Sequence, residues 1–156
     1  MALKPWYNVV TPREDLREGR PLDASEFAAH LELVRDGKAP KDYTDPKTFF
    51  ERTYMTKSLT DLASEVIRRL AGETTETNAI FNMATQFGGG KTHALTLRYH
   101  LAGNGSNANE WQGVQKLLLK ANIPSVPEAK TAILVGTEFD SIRGRGGDDG
   151  TPLRKT

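Results

Sequence analysis

The chain has 156 residues, the length of one domain able to bury a sizeable core. Its 21 Lys and Arg against 20 Asp and Glu leave a net charge of +1, which argues against the global basic field that draws a protein to nucleic acid or a membrane surface. The absence of cysteine excludes disulfides and thiolate metal sites and fits a reducing, cytoplasmic setting; neither a membrane span nor a signal peptide is expected.

The first part of the chain alternates polar linkers with amphipathic helices. An opening arm over residues 4–15 carries Pro5 and Pro12 and is expected to be mostly extended. Asp23-Ala24-Ser25-Glu26 reads as a capping-box-like start, and Phe27, His30, Leu31 and Val34 follow as an apolar-leaning stripe that ends at Gly37. Asp45-Pro46 opens a second helix by placing proline at its first position. Ser58 starts a third, in which Leu59, Leu62, Ala63, Val66, Ile67 and Leu70 follow helical spacing before Gly72 closes it. Such stripes predict core. After the polar connection at 73–77, the expected boundary separates a helical N-terminal region, 1–76, from a nucleotide-binding region, 77–156.

In the second part, residues 78–84 form a short apolar run that predicts a strand, and 92–101 predict a helix with Ala94, Leu97 and Leu101 on one face and Gly103 as its stop. A further helix is expected over 109–121, with Trp111, Val114, Leu117 and Leu118 on its apolar side. Residues 131–136 are β-branched and apolar, as in a strand buried on both faces of a parallel sheet. The expected fold class is therefore α/β: a helical N-terminal part followed by the first strand-loop-helix-strand unit of a P-loop NTPase parallel sheet, with a right-handed crossover. One strand after the loop is fewer than a sheet needs, so the chain is expected to be the front of a longer protein.

Between the predicted strand and helix lies Thr85-Gln86-Phe87-Gly88-Gly89-Gly90-Lys91-Thr92-His93. A GxxxxGK[ST] loop wraps a phosphate chain with successive backbone N–H groups, which requires that no side chain intervene. The lysine then brings a point charge to the β- and γ-phosphates, and the following hydroxyl coordinates magnesium. Lys91 and Thr92 stand where this chemistry needs them, Lys91 as the catalytic candidate and Thr92 as the metal ligand. Thr85 replaces the first glycine of the pattern, while Gly88, Gly89 and Gly90 add freedom to its second half. His93 is either a further phosphate contact or a first-turn residue satisfied locally. Phosphoryl transfer also needs a carboxylate on the metal side, for which Glu138 and Asp140 are candidates; the alternative for each is a strand-end acid facing solvent or capping a turn. Arg143 and Arg145 lie in a glycine-rich stretch, 141–150, that reads as a solvated loop or as a reach toward a γ-phosphate.

Taken together, the stretch 4–16, the segment 49–54, the residues from Thr85 to Leu95, and Gly136-Thr137-Glu138-Phe139-Asp140 resemble the N-terminal region of large bacterial ATPases of the DUF499 family. Members of that family are often encoded in anti-phage defence clusters beside DNA methyltransferase-like and helicase-like genes. The resemblance spans nearly the whole chain. It implies ATP and magnesium as cofactors, with ATP bound by Gly88, Gly89, Gly90, Lys91 and Thr92, and a non-glycine at position 85. It also implies a much longer protein, other defence proteins as partners, and nucleic acid engaged only through the full-length assembly. Two readings follow: the nucleotide-binding front of an ATP-hydrolysing motor or switch, or a sensor or scaffold that binds ATP without turnover and docks other defence proteins. For these residues by themselves, binding without hydrolysis is the expectation.

Overall fold

The computed structural model describes residues 3–12, 14–19, 30–84 and 89–134. Among them the chain forms α1 (Glu14–Arg17), α2 (Leu31–Arg35), α3 (Lys41–Thr44), α4 (Pro46–Arg52), α5 (Lys57–Leu70), α6 (Lys91–Asn104) and α7 (Val114–Ala121). Short 3₁₀ segments occur at Trp6–Asn8 and Gly105–Glu110.

The helix starts follow local chemistry. Pro46 occupies the first turn of α4, where its missing N–H costs nothing, and the Asp45 carboxylate accepts the Thr48 N–H at 2.8 Å. That bond to the charged form holds the Asp45 carboxyl below its ordinary range. Thr56 caps α5 by accepting the Leu59 N–H at 3.2 Å, and Gly72, at φ +92°, ends that helix.

The core is built where α4, α5, α6 and α7 meet. Phe49 and Phe50 from α4, Ala63 and Ile67 from α5, Leu97 and Leu101 from α6, and Val114, Leu117 and Leu118 from α7 form one buried cluster. Each large side chain removed from water in this way contributes about 1.5–3 kcal/mol. α6 is the central helix: Ala94, Thr96, Leu97, His100, Leu101 and Ala102 are all buried, and it packs against α2, α4 and α5. The segment after α7 returns to it, with the Ala129 N–H donating to the Ala102 carbonyl at 2.8 Å.

The α/β expectation is overturned: no strand or sheet occurs among the described residues. Residues 78–84 are irregular, and Ile80 is 86% exposed. Side chains hold this segment in place of a ladder. Glu65 on α5 accepts from both the Asn78 N–H (2.9 Å) and Asn78 Nδ2 (2.5 Å), and the Arg98 guanidinium of α6 lies 5.3 Å from the centre of the Phe81 ring. Residues 131–134 are also irregular and mostly exposed, and 135–136 lie outside the described residues. A strand exists only through its partner's backbone groups. Here the two apolar runs do not pair, and the helical stripes already fill the core.

Other expectations shift in detail. The opening arm contains the turn at Trp6–Asn8, and α1 begins at its end. The first predicted helix is described only from His30, its N-cap; Asp23 to Glu26 and Phe27 lie outside the described residues. Gly103 sits inside α6, and Gly105 rather than Gly103 follows its end. The helix expected over 109–121 is shorter, because Gly113 caps α7 and the preceding residues form the 3₁₀ turn. Among the described residues no helix is long and apolar enough to cross a membrane.

Candidate functional site

Lys91 is the first residue of α6 and Gly90 is its N-cap, so the Gly-Lys-Thr sequence stands at the start of a 14-residue helix. Gly90 has φ +73° and ψ 16°, in the left-handed region, and the chain passes directly from there into the right-handed turn of Lys91. Successive N–H groups in such an alternation converge to form a concavity that suits an anion. The helix adds to this, because its first N–H groups have no intrahelical acceptor and its dipole favours negative charge at this end. The Ala94 N–H closes the first turn on the Gly90 carbonyl at 2.9 Å.

Gly113 provides an internal comparison, since it opens α7 from the left-handed region too, at φ +83°. There the side chain of Met55 covers the turn, its Cγ 3.3 Å from where a Cβ would stand. Gly90 and Gly89 are exposed, and a Cβ on Gly90 would meet nothing among the described residues within 4 Å. The two turns share a backbone conformation; only the one before Lys91 is open to a ligand.

Lys91 and Thr92 are half-buried, and the Thr92 carbonyl accepts from Thr96 Oγ1 at 2.9 Å within the helix. His93 points inward instead. Its ring packs on Phe49, centroids 4.6 Å apart, and meets Tyr43 edge-on at 6.1 Å. Thr53 Oγ1 donates its one proton to the Phe49 carbonyl at 2.6 Å, so across their 3.0 Å contact the His93 Nε2–H donates to Thr53 Oγ1. Burial pushes the His93 pKa below its ordinary value, which favours the neutral ring. The arrangement fixes the first turn of α6 to the end of α4. Two helical turns on, His100 Nε2 donates to the Tyr43 carbonyl at 2.8 Å, and its pKa is also lowered, chiefly by burial.

The structure thus brings Gly89, Gly90, Lys91 and Thr92 together at one helix end and turns the His93 ring toward α4. Gly88 and Thr85 lie outside the described residues, as do Glu138, Asp140, Arg143 and Arg145. Thr53, the partner that orients the α6 start through His93, was not legible in the sequence: it stands forty residues earlier, in the linker between α4 and α5. A cleft of 640 Å³ adjoins Gly89 and Gly90, and the sequence held no linear signal for it.

A family model, the DUF499 N-terminal domain, matches residues 3–133, and the chain belongs to that family. No curated protein and no solved structure matches the chain.

Proposed function

From this membership of the DUF499 family, we propose that the chain binds magnesium-ATP, with the phosphate chain held at the turn from Gly89 to Thr92. The observation that carries the reading is the left-handed Gly90, open to solvent, immediately before Lys91 at the start of a 14-residue helix. The donor set fits the group: convergent N–H groups and a cationic side chain for phosphate oxygens, and a hydroxyl at Thr92 for magnesium. When bound, magnesium would neutralise charge on the phosphate oxygens. The residues of the chain bind and orient: Lys91 offsets charge on the β- and γ-phosphates, the helix start supplies N–H donors, and His93 holds that helix start against Thr53.

The proposal does not require a parallel sheet, because the anion site belongs to the turn and the helix end. Titration calorimetry of magnesium-ATP against wild type and Lys91→Ala tests it. A charged contact of this kind is worth about 1.5–3 kcal/mol, so the variant should bind roughly ten- to a hundredfold more weakly. Equal affinity would sink the assignment. The family resemblance supports a finer reading, an ATPase within an anti-phage defence system, and its test is Lys91-dependent phosphate release.

A further inference from the structure

The cleft beside Gly89 and Gly90 opens between the first turns of α5 and α6. Its volume of 640 Å³ lies within the range of about 300–1,000 Å³ typical of small-molecule sites. Leu59 and Leu62 of α5, Met83 and Ala94 give it apolar walls. Tyr54 lines it as well, with 85% of its surface exposed, an aromatic ring that the core does not use.

We propose that this cleft takes the adenine base of the nucleotide, with the Tyr54 ring stacked on it. The inference rests on the phosphate reading above and assigns the other end of the same ligand. Continuity selects the occupant, because Gly89 and Gly90 belong both to the phosphate turn and to the wall of the cleft. An apolar slot with an exposed aromatic ring suits a flat, uncharged heterocycle, for which stacking supplies the affinity. The polar groups distinguish the bases. Guanine presents adjacent N1–H and 2-amino donors that a carboxylate pairs best, and no carboxylate lies among the described residues that line the cleft. The hydroxyls of Thr56 and Ser58 are there instead, together with His93, whose Nε2–H is already given to Thr53. A hydroxyl both donates and accepts, which matches the adenine N1 acceptor and 6-amino donor. Thr56 Oγ1 already accepts the Leu59 N–H and keeps its own proton to donate.

Calorimetry with magnesium-ATP, magnesium-GTP and magnesium tripolyphosphate tests this on wild type, Tyr54→Ala, Ser58→Trp and Lys91→Ala. Tyr54 and Ser58 are exposed, so both replacements leave the core intact, and a melting curve for each variant checks this. Tyr54→Ala should weaken ATP binding roughly tenfold, and Ser58→Trp, which fills the cleft, should weaken it at least as much. Neither should change the affinity for tripolyphosphate, and wild type should bind ATP more tightly than GTP. The base site is overturned if wild type binds tripolyphosphate as tightly as ATP, if both cleft variants bind ATP like wild type, or if Tyr54→Ala weakens tripolyphosphate equally. Loss of affinity for both ligands in Lys91→Ala supports the phosphate turn beneath the inference. Unchanged tripolyphosphate affinity in that variant would remove the phosphate reading, and this inference with it.

Discussion

Replacing Gly90 by alanine separates the conformational role of this glycine from its role at the ligand, because Gly113 offers a matched control. Gly90 sits at φ +73° with no described residue within 4 Å of an added Cβ, so the cost to the fold is counted as conformational. Forcing an ordinary residue into the left-handed region costs about 1–2 kcal/mol. Gly113→Ala carries the same cost at φ +83° and brings its Cβ to 3.3 Å from Met55 Cγ, which adds roughly 1 kcal/mol of crowding. In a chain of 156 residues each kcal/mol lowers Tm by about 2–4 °C. Gly90→Ala is therefore expected to melt roughly 2–8 °C below wild type, and Gly113→Ala lower still. Binding should rank the other way. A Cβ on residue 90 stands in the open space before the helix, and relief of its strain turns the N–H groups away, so ATP affinity should fall more than tenfold. Gly113→Ala should keep wild-type affinity, since Met55 already closes that turn. Thermal melts and ATP calorimetry, the latter at a temperature where all three proteins are folded, measure both orders. Wild-type ATP affinity in Gly90→Ala, or equal losses in the two variants, would refute the reasoning.

Two further outcomes test the packing. Burial holds His93 and His100 below the ordinary histidine value of 6.5, in the case of His100 against the opposing pull of the Tyr43 carbonyl and the Asp45 charge. Both are neutral in the fold, so their contribution to stability is complete above 6.5 and is lost as pH falls toward the folded values, at up to about 1.4 kcal/mol per pH unit per histidine. Urea midpoints between pH 7.5 and 5 should fall accordingly, and a flat profile would show that the two rings are not desolvated. Separately, Ile80→Ser should change stability by less than about 0.5 kcal/mol, because Ile80 is 86% exposed. Leu101→Ala, at a fully buried position, should cost about 2–5 kcal/mol in the same denaturation assay. A loss above about 2 kcal/mol for Ile80→Ser would restore the buried strand.

The helices were legible wherever a local rule decides them. The stripe from Leu59 to Leu70 turns Ala63, Val66 and Ile67 into the core, and Asp45-Pro46 opens α4, because spacing and capping act within a few residues. The strand expectation failed on a non-local quantity. An apolar run such as 78–84 carries no record of whether another segment pairs with it, and Glu65 and Arg98 fix it from the side instead. Gly103 and Gly105 show the same limit at small scale. Both are glycines near a helix end, but only Gly105 adopts φ +51°, with Glu128 so close that an added Cβ would lie 2.8 Å from Glu128 Cβ. The choice between them depends on a contact twenty-three residues away. At the candidate site, Lys91 and Thr92 were legible from spacing, whereas the support that orients their helix came from α4.

That support and the proposed base site converge on the four residues that join α4 to α5. Thr53 receives the His93 Nε2–H and so positions the start of α6. Tyr54 projects into solvent at the cleft, Met55 packs against the core and covers the Gly113 turn, and Thr56 caps α5 while lining the cleft. One short linker therefore sets the phosphate turn through Thr53 and the cleft through Tyr54 and Thr56. The two ends of the proposed ligand are then coupled mechanically, and the coupling has a measurable form. Thr53→Val keeps the buried volume but removes the acceptor for His93, leaving a half-buried Nε2–H unpaired at a cost of about 1–3 kcal/mol. Relief of that cost moves the first turn of α6, which carries Gly90 and Ala94 on the cleft wall as well as Lys91. A substitution that touches neither Lys91 nor the cleft should then weaken tripolyphosphate and ATP together, in contrast to Tyr54→Ala, which acts on ATP alone.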